Sequence, residues 1–99
     1  MEALERVLGR LMKRLGIEDE LQGWRAVEIW ERVAGPQVAR RTRAVDFERG
    51  VLLVEVEGSA WIQQLHFLKR QLIEAINREL GATRVSDIRF DIPRKGVLR

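Results

Sequence analysis

The chain is 99 residues long, 45% hydrophobic and 33% charged, with a formal net charge of +3, which is typical of a single globular domain. Cysteine is absent, so disulfides and thiolate metal sites are excluded. The apolar runs are short and charges occur from the second residue onward, a pattern that predicts neither a membrane span nor a secretory signal and favours a cytoplasmic protein.

The first predicted element is an amphipathic N-terminal helix. Gly16 is well placed to end it, because glycine readily adopts the left-handed conformation that follows a helix. The apolar residues that recur at helical spacing and form its narrow stripe are Leu4, Val7, Leu8, Leu11, Met12 and Leu15.

A second helix is predicted from Trp24 to Ala34, with Trp30 on its apolar face. Leu21 lies off that face and Gly23 intervenes, so the preceding "EDELQG" is interpreted as a separate turn. The pair Gly35-Pro36 then stops the helix, and residues 37–41 are expected to form a short helical turn.

Two strands joined by a hairpin follow. In "TRAVDFE", Val45 and Phe47 alternate with Ala44 and acidic residues, which predicts that the first two face the core. Gly50 lies in the short link and indicates a tight turn. The second strand, "VLLVEVE", has three alternating apolar residues on its inner face, namely Leu52, Val54 and Val56.

A long helix and a last strand complete the predicted order α-α-β-β-α-β. Ser59 is predicted to cap the helix, which runs from Ala60 to Leu80 and ends at Gly81. The last strand ends before Pro93 and has alternating Ile88, Phe90 and Ile92. The sequence therefore predicts one α+β domain over residues 1–93, with helices on one face of a small three-stranded sheet, and a short basic tail over residues 94–99.

The long helix carries aromatic residues on two opposite faces. Trp61 is at the centre of the apolar stripe that includes Leu65, so it is expected to pack the helix onto the sheet. Phe67 projects on the polar side, where it is either covered by the N-terminal helix or presented to a partner. Its neighbours on that side, the other members of a candidate partner-binding patch, are Gln63, Arg70 and Gln71.

Charge is unevenly distributed along the chain. Residues 17–36 have a net charge of −3, whereas residues 37–49 have +2 and residues 82–99 have +3. If the start of the first strand and the end of the last one lie together, their basic residues form a strip for phosphates that reads little sequence. The alternative is that these side chains are simply solvated. The candidate residues are Arg40, Arg41, Arg43, Arg94 and Lys95.

The residue inventory argues against catalysis. His66 is the sole histidine, tyrosine is absent, and the few hydroxyls include Ser59, which is better explained as a helix cap. Glu55 and Glu57 share one strand face but are interpreted as solvated residues beside the hairpin. Neither a phosphate-binding loop nor a metal-ligand spacing occurs. We therefore expect no enzyme activity, no cofactor, no bound metal and no small-molecule substrate.

An ordered set of short motifs begins with Trp30, Val33, Gly35 and Ala39, and continues with "GVLLVEV", the Ser59-Ala60-Trp61 helix start, Leu65 within "WIQQL", and "LG…V…IRF". Taken in this order, the motifs resemble the DciA family of bacterial replicative-helicase loaders. The match spans roughly residues 25–92, and the N-terminal helix is in keeping with it.

The resemblance implies a K-homology-like domain that serves the replicative helicase at single-stranded or forked DNA, in the cytoplasm and at the nucleoid. K-homology domains that grip RNA use a Gly-x-x-Gly loop, and "GSAW" lacks the second glycine, which argues against sequence-specific RNA reading. Many family members also carry a disordered extension, whereas this sequence has six residues after Pro93. If that extension helps to bind DNA or the helicase, we expect the folded domain and "RKGVLR" to do this work here. The alternative is a general nucleic-acid-binding module, for RNA, without a helicase partner.

Overall fold

A computed structural model describes residues 2–93, apart from the side chains of residues 12, 18 and 19. The predicted order of elements is confirmed, and the short helical turn after Gly35 is a four-residue helix. In chain order, the elements are α1 (Glu2–Leu15), α2 (Ile17–Ala34), α3 (Pro36–Ala39), β1 (Thr42–Glu48), β2 (Val51–Val56), α4 (Ser59–Leu80) and β3 (Asp87–Asp91).

Helix α2 is longer than the sequence pattern predicted. It begins at Ile17, directly after the left-handed Gly16, so the interpretation of "EDELQG" as a separate turn was wrong. Gly23 is a helical residue at a close contact, because a Cβ built on it would lie 1.9 Å from Cε2 of Phe47. The glycine therefore serves the packing of α2 on β1 rather than ending a helix.

The three strands form one mixed sheet in the order β1-β2-β3. Strands β1 and β2 are antiparallel, and both residues of their turn, Arg49 and Gly50, have positive φ, as tight hairpins favour. Strand β3 is parallel to β2, and α4 makes the crossover between them. Helices α2 and α4 contact the same face of the sheet, as predicted.

A bulge in β1 changes which residues face the core. Ala44 pairs with Val54 and Asp46 pairs with Leu53, so Val45 is the extra residue. The prediction that Val45 faces inward was therefore wrong, since Ala44 takes its place in contact with the core. Beyond the bulge Phe47 returns to the inner face and is buried, as predicted.

The core lies between the sheet and helices α2 and α4. Among the described residues, no side-chain polar atom is buried without a hydrogen-bond partner. Leu65 occupies the predicted core position on α4, whereas Trp61 one turn earlier is half-buried. The largest fully buried side chains are Trp30, Leu52, Leu65, Ile76, Ile88, Val54, Val56 and Val85.

A hydrogen-bond relay joins α2, α3 and β1. The indole Nε1 of Trp30 donates to Oγ1 of Thr42 at 2.9 Å, and that hydroxyl donates to the carbonyl of Val38 at 2.8 Å. Gly35 connects the two helices with a φ of 87°, a conformation that favours glycine. The relay satisfies the indole N–H that burial would otherwise leave unpaired.

The two ends of α4 are fixed differently. Gly58, with a φ of 97°, occupies the N-cap position and Ser59 is the first helical residue without a capping hydrogen bond, so the prediction of a serine cap was wrong. The C-terminal end follows the prediction, because Gly81 is left-handed and donates to the carbonyl of Asn77. The Asn77 amide group also bonds backbone groups of Arg84 and Val85, which holds the loop into β3.

A pair of glycine substitutions tests the packing of α2 on β1. Gly23→Ala places a methyl group against the buried Phe47 ring, so we expect a loss of about 1–3 kcal/mol in the free energy of unfolding. Gly9→Ala meets nothing within 4 Å, and we expect it to be neutral or stabilising by up to ~1 kcal/mol. Urea denaturation measures both, and equal midpoints would contradict the close contact.

Thr42→Val tests the relay while it preserves the branched shape of the side chain. The substitution removes the acceptor for the Trp30 indole and the donor to Val38, so we expect a loss of about 1–3 kcal/mol in the free energy of unfolding. The matched control, Thr83→Val, lies at an exposed position and should change stability by less than ~0.5 kcal/mol. If the two variants unfold at the same temperature, the relay contributes nothing measurable.

Candidate nucleic-acid groove and partner surfaces

The start of β1 and the end of β3 lie at the same end of the sheet, although β1 and β3 are its two outer strands. Arg43 pairs with Glu55 across β1 and β2, and Glu55 pairs with Asp91 across β2 and β3. Pro93, which precedes the predicted basic residues of the tail, lines one concavity of about 230 Å³ together with Arg43. Arg94 and Lys95 themselves lie outside the described residues.

A second concavity adjoins the first. It has a volume of about 420 Å³ and is lined by Gln37, Arg40, Arg41 and Trp61. Arg40 and Arg41 line both concavities, so the two concavities are adjacent. We call the two together the arginine groove, and its residues are Gln37, Arg40, Arg41, Thr42, Arg43, Glu55, Glu57, Trp61 and Pro93.

Carboxylates lie among the arginines of this groove. Arg41 forms an ion pair with Glu57 at 3.3 Å, and Arg43 stands opposite Glu55 in the strand register. Within residues 2–93, Arg40 and Arg43 form no ion pair. The groove is therefore less positive than its arginines alone suggest. The Arg41–Glu57 pair is exposed and contributes little to stability, so an incoming anion can displace it at small cost.

Trp61 belongs to the arginine groove as well as to the core. The sequence placed it at the centre of the apolar stripe of α4, but the buried stretch of that stripe starts at Leu65. Trp61 lies in the first turn of the helix, where the indole packs against the core on one side and lines the groove on the other. Helical periodicity predicts which face of a helix a side chain lies on, but it does not predict how far along the helix that face is buried by other elements.

Phe67 is presented to solvent. Its side chain is 84% exposed, and α1 contacts α2 and no other element of the described chain, so the N-terminal helix does not cover it. A concavity of about 400 Å³ includes Phe67 and Gln63 together with Ile62, beside the first turn of α4. Arg70 and Gln71 are exposed further along the helix and lie outside this concavity.

A second apolar surface lies at the N-terminal end of the described chain, where the sequence predicted the apolar stripe of α1 but not its exposure. Of the described elements only α2 contacts α1, and the described residues of the α1 stripe stay exposed together with apolar residues from the start of α2. An amphipathic pattern predicts that the apolar face of a helix packs against a partner, but it does not show whether that partner belongs to the same chain. This N-terminal apolar set, with side chains between 42% and 62% exposed, consists of Leu4, Val7, Leu8, Leu11, Leu15, Ile17, Leu21 and Trp24.

The candidate carboxylate pair lies beside the arginines of the groove. Glu57 contacts Arg41, and Glu55 lies across the sheet from Arg43. Among the side chains that the structure describes, no group of three or more acidic, histidine or cysteine residues is arranged to hold a metal ion. Within residues 2–93, no helix has the length and apolar character needed to cross a bilayer.

An α+β domain whose exposed features are a groove of arginines and apolar surface residues has the architecture of a small binding domain. A family model described as "Dna[CI] antecedent, DciA" matches residues 3–90. The chain therefore belongs to the DciA family of replicative-helicase loaders, the family that its motifs resemble.

Curated relatives support the assignment at modest identity. A UPF0232 protein of Bifidobacterium longum is 34% identical over 70 residues, which cover 71% of this chain and 45% of the relative. A UPF0232 protein of Corynebacterium glutamicum is 26% identical over 102 residues, which cover 98% of this chain and 57% of the relative. The chain spans about half the length of these relatives.

Proposed function

We propose that this chain is a non-catalytic DNA-replication accessory protein of the cytoplasm and nucleoid. It binds the replicative DNA helicase and single-stranded or forked DNA, and it thereby promotes helicase loading. The observation that carries the proposal is the match of the DciA family model to residues 3–90, nearly the whole folded domain.

The arginine groove supports the DNA half of the proposal. Arg40 and Arg43 are exposed and form no ion pair with a residue of the described range, so both are available to phosphates. Arg94 and Lys95 follow Pro93 in the sequence and carry two further positive charges. Contacts of this kind position a nucleic-acid backbone without reading its bases.

Exposed apolar side chains support the partner half. Phe67, with Gln63 beside it and Arg70 and Gln71 further along α4, forms the candidate helicase-binding patch. An aromatic ring that is almost fully exposed contributes nothing to the core and is the residue type that anchors protein interfaces. The N-terminal apolar set is a second surface of the same character on a different part of the molecule.

Co-purification with the cognate replicative helicase tests the central claim. We expect the chain to retain the helicase, and we expect binding to a forked or single-stranded oligonucleotide to weaken as salt rises. Binding to RNA and DNA alike without any retention of the helicase would favour the alternative, a general nucleic-acid-binding module.

Phe67→Ala separates an interface role from a structural one. Because the ring is 84% exposed, we expect the melting temperature to stay within a few degrees of wild type, while helicase binding weakens by more than ~1 kcal/mol. Glu48→Ala, at an exposed position at the end of β1, is the control and should leave affinity unchanged. If Leu8→Ala weakens helicase binding and Phe67→Ala does not, the contact lies on the N-terminal apolar set.

A triple substitution tests the arginine groove. Replacement of Arg40, Arg41 and Arg43 by alanine should flatten the salt dependence of single-strand binding, by roughly 0.7 in log–log slope per lost phosphate contact. The control replaces three exposed arginines outside the groove by alanine, namely Arg25, Arg32 and Arg78. It removes the same charge and should preserve the slope. An unchanged slope in the groove variant would place the DNA surface elsewhere.

A further inference from the structure

Trp61 is the one aromatic side chain among the residues that line the arginine groove. It lines the wider concavity together with Arg40, Arg41 and Gln37, and it is half-buried, so part of the indole is open to a ligand. Its other side packs against the core, which holds the ring in place before any ligand binds. A fixed aromatic ring beside two guanidinium groups is an arrangement that a ligand with a flat ring and a negative charge would complement.

That complement is a nucleotide unit with an unpaired base. An unpaired base offers a flat face that stacks on an aromatic ring, and the adjoining phosphates are attracted by the arginines. In a duplex the bases are already stacked on their neighbours and their faces are not accessible. The adjacent concavity of the groove adds the exposed Arg43, so the backbone of a single strand that leaves the indole has a further guanidinium group within the same groove.

The other two tryptophans lack this combination. Trp30 is 1% exposed, and its indole N–H is engaged by Thr42. Trp24 is 42% exposed but belongs to the N-terminal apolar set, away from the groove. Position therefore distinguishes Trp61 from residues of the same type.

We propose that Trp61 is a base-stacking platform for single-stranded DNA, with Arg40 and Arg41 holding the flanking phosphates. The ion pair between Arg41 and Glu57 is exposed, so exchange of the carboxylate for a phosphate costs little. This inference rests on the proposed function for the presence of DNA. It adds a contact with a base, which the charge of the groove alone does not require.

The test compares two tryptophans and two ligands. Trp61→Leu should bind a single-stranded thymidine oligonucleotide roughly tenfold more weakly, within the range expected for one lost stacking contact. It should bind an abasic oligonucleotide of the same length as wild type does, because that ligand has phosphates but no bases. Trp61→Phe should stay close to wild type on both ligands, and Trp24→Leu is the matched control with no change on either.

Equal affinity of wild type and Trp61→Leu for the thymidine oligonucleotide would overturn the inference and leave the proposed function intact. An equal loss on the abasic ligand would also overturn it, since it would show a general distortion of the groove. Failure of wild type to bind either ligand would overturn the DNA half of the proposed function together with the inference.

A spectroscopic measurement gives a second test that does not depend on the folding of Trp61→Leu. In a Trp24→Phe variant the remaining tryptophans are Trp61 and the buried Trp30, so quenching of fluorescence reports on Trp61. We expect the thymidine oligonucleotide to quench this fluorescence and the abasic one to leave it unchanged. No quenching at a saturating concentration of the thymidine oligonucleotide would show that no base contacts the indole.

Discussion

The hydrogen-bond relay from the Trp30 indole through the Thr42 hydroxyl to the Val38 carbonyl determines where the basic residues lie. Arg40 and Arg41 occupy the short segment between Val38 and Thr42, and the Thr42 hydroxyl ties the two ends of that segment to each other while it accepts from the buried indole. Without the relay, an indole N–H would be left unpaired in the core, which carries a substantial cost. A buried aromatic residue in a helix therefore fixes the position of exposed arginines that lie outside that helix.

The sheet contributes the other side of the arginine groove and limits its charge. The parallel pairing of β2 and β3 brings the end of β3 next to the end of β2, and the hairpin brings the start of β1 to the same end of the sheet. This arrangement also brings Glu55 and Glu57 among the arginines. A groove with mixed charges avoids strong repulsion between guanidinium groups in the absence of DNA, and it favours weak, salt-sensitive binding in the proposed function.

The first turns of α4 separate the two proposed binding surfaces. Trp61 and Phe67 are six residues apart, which at 3.6 residues per turn places them about 120° apart around the helix axis. One lines the arginine groove and the other is exposed in the concavity beside Gln63. In the proposed function, this geometry allows single-stranded DNA and a helicase subunit to be bound by one rigid element without competing for the same residues.

The amino-acid sequence by itself determined the order of the elements, the hairpin turn at Gly50, the end of α4 at Gly81 and the core position of Leu65. These features follow from local periodicity and from glycine conformations, which depend on near neighbours in the chain. Only the tertiary structure decided the role of Gly23, the bulge at Val45, the half-burial of Trp61 and the exposure of Phe67. Each of these depends on which distant residue, if any, packs against that position, and a hydrophobic pattern along one segment does not contain that information.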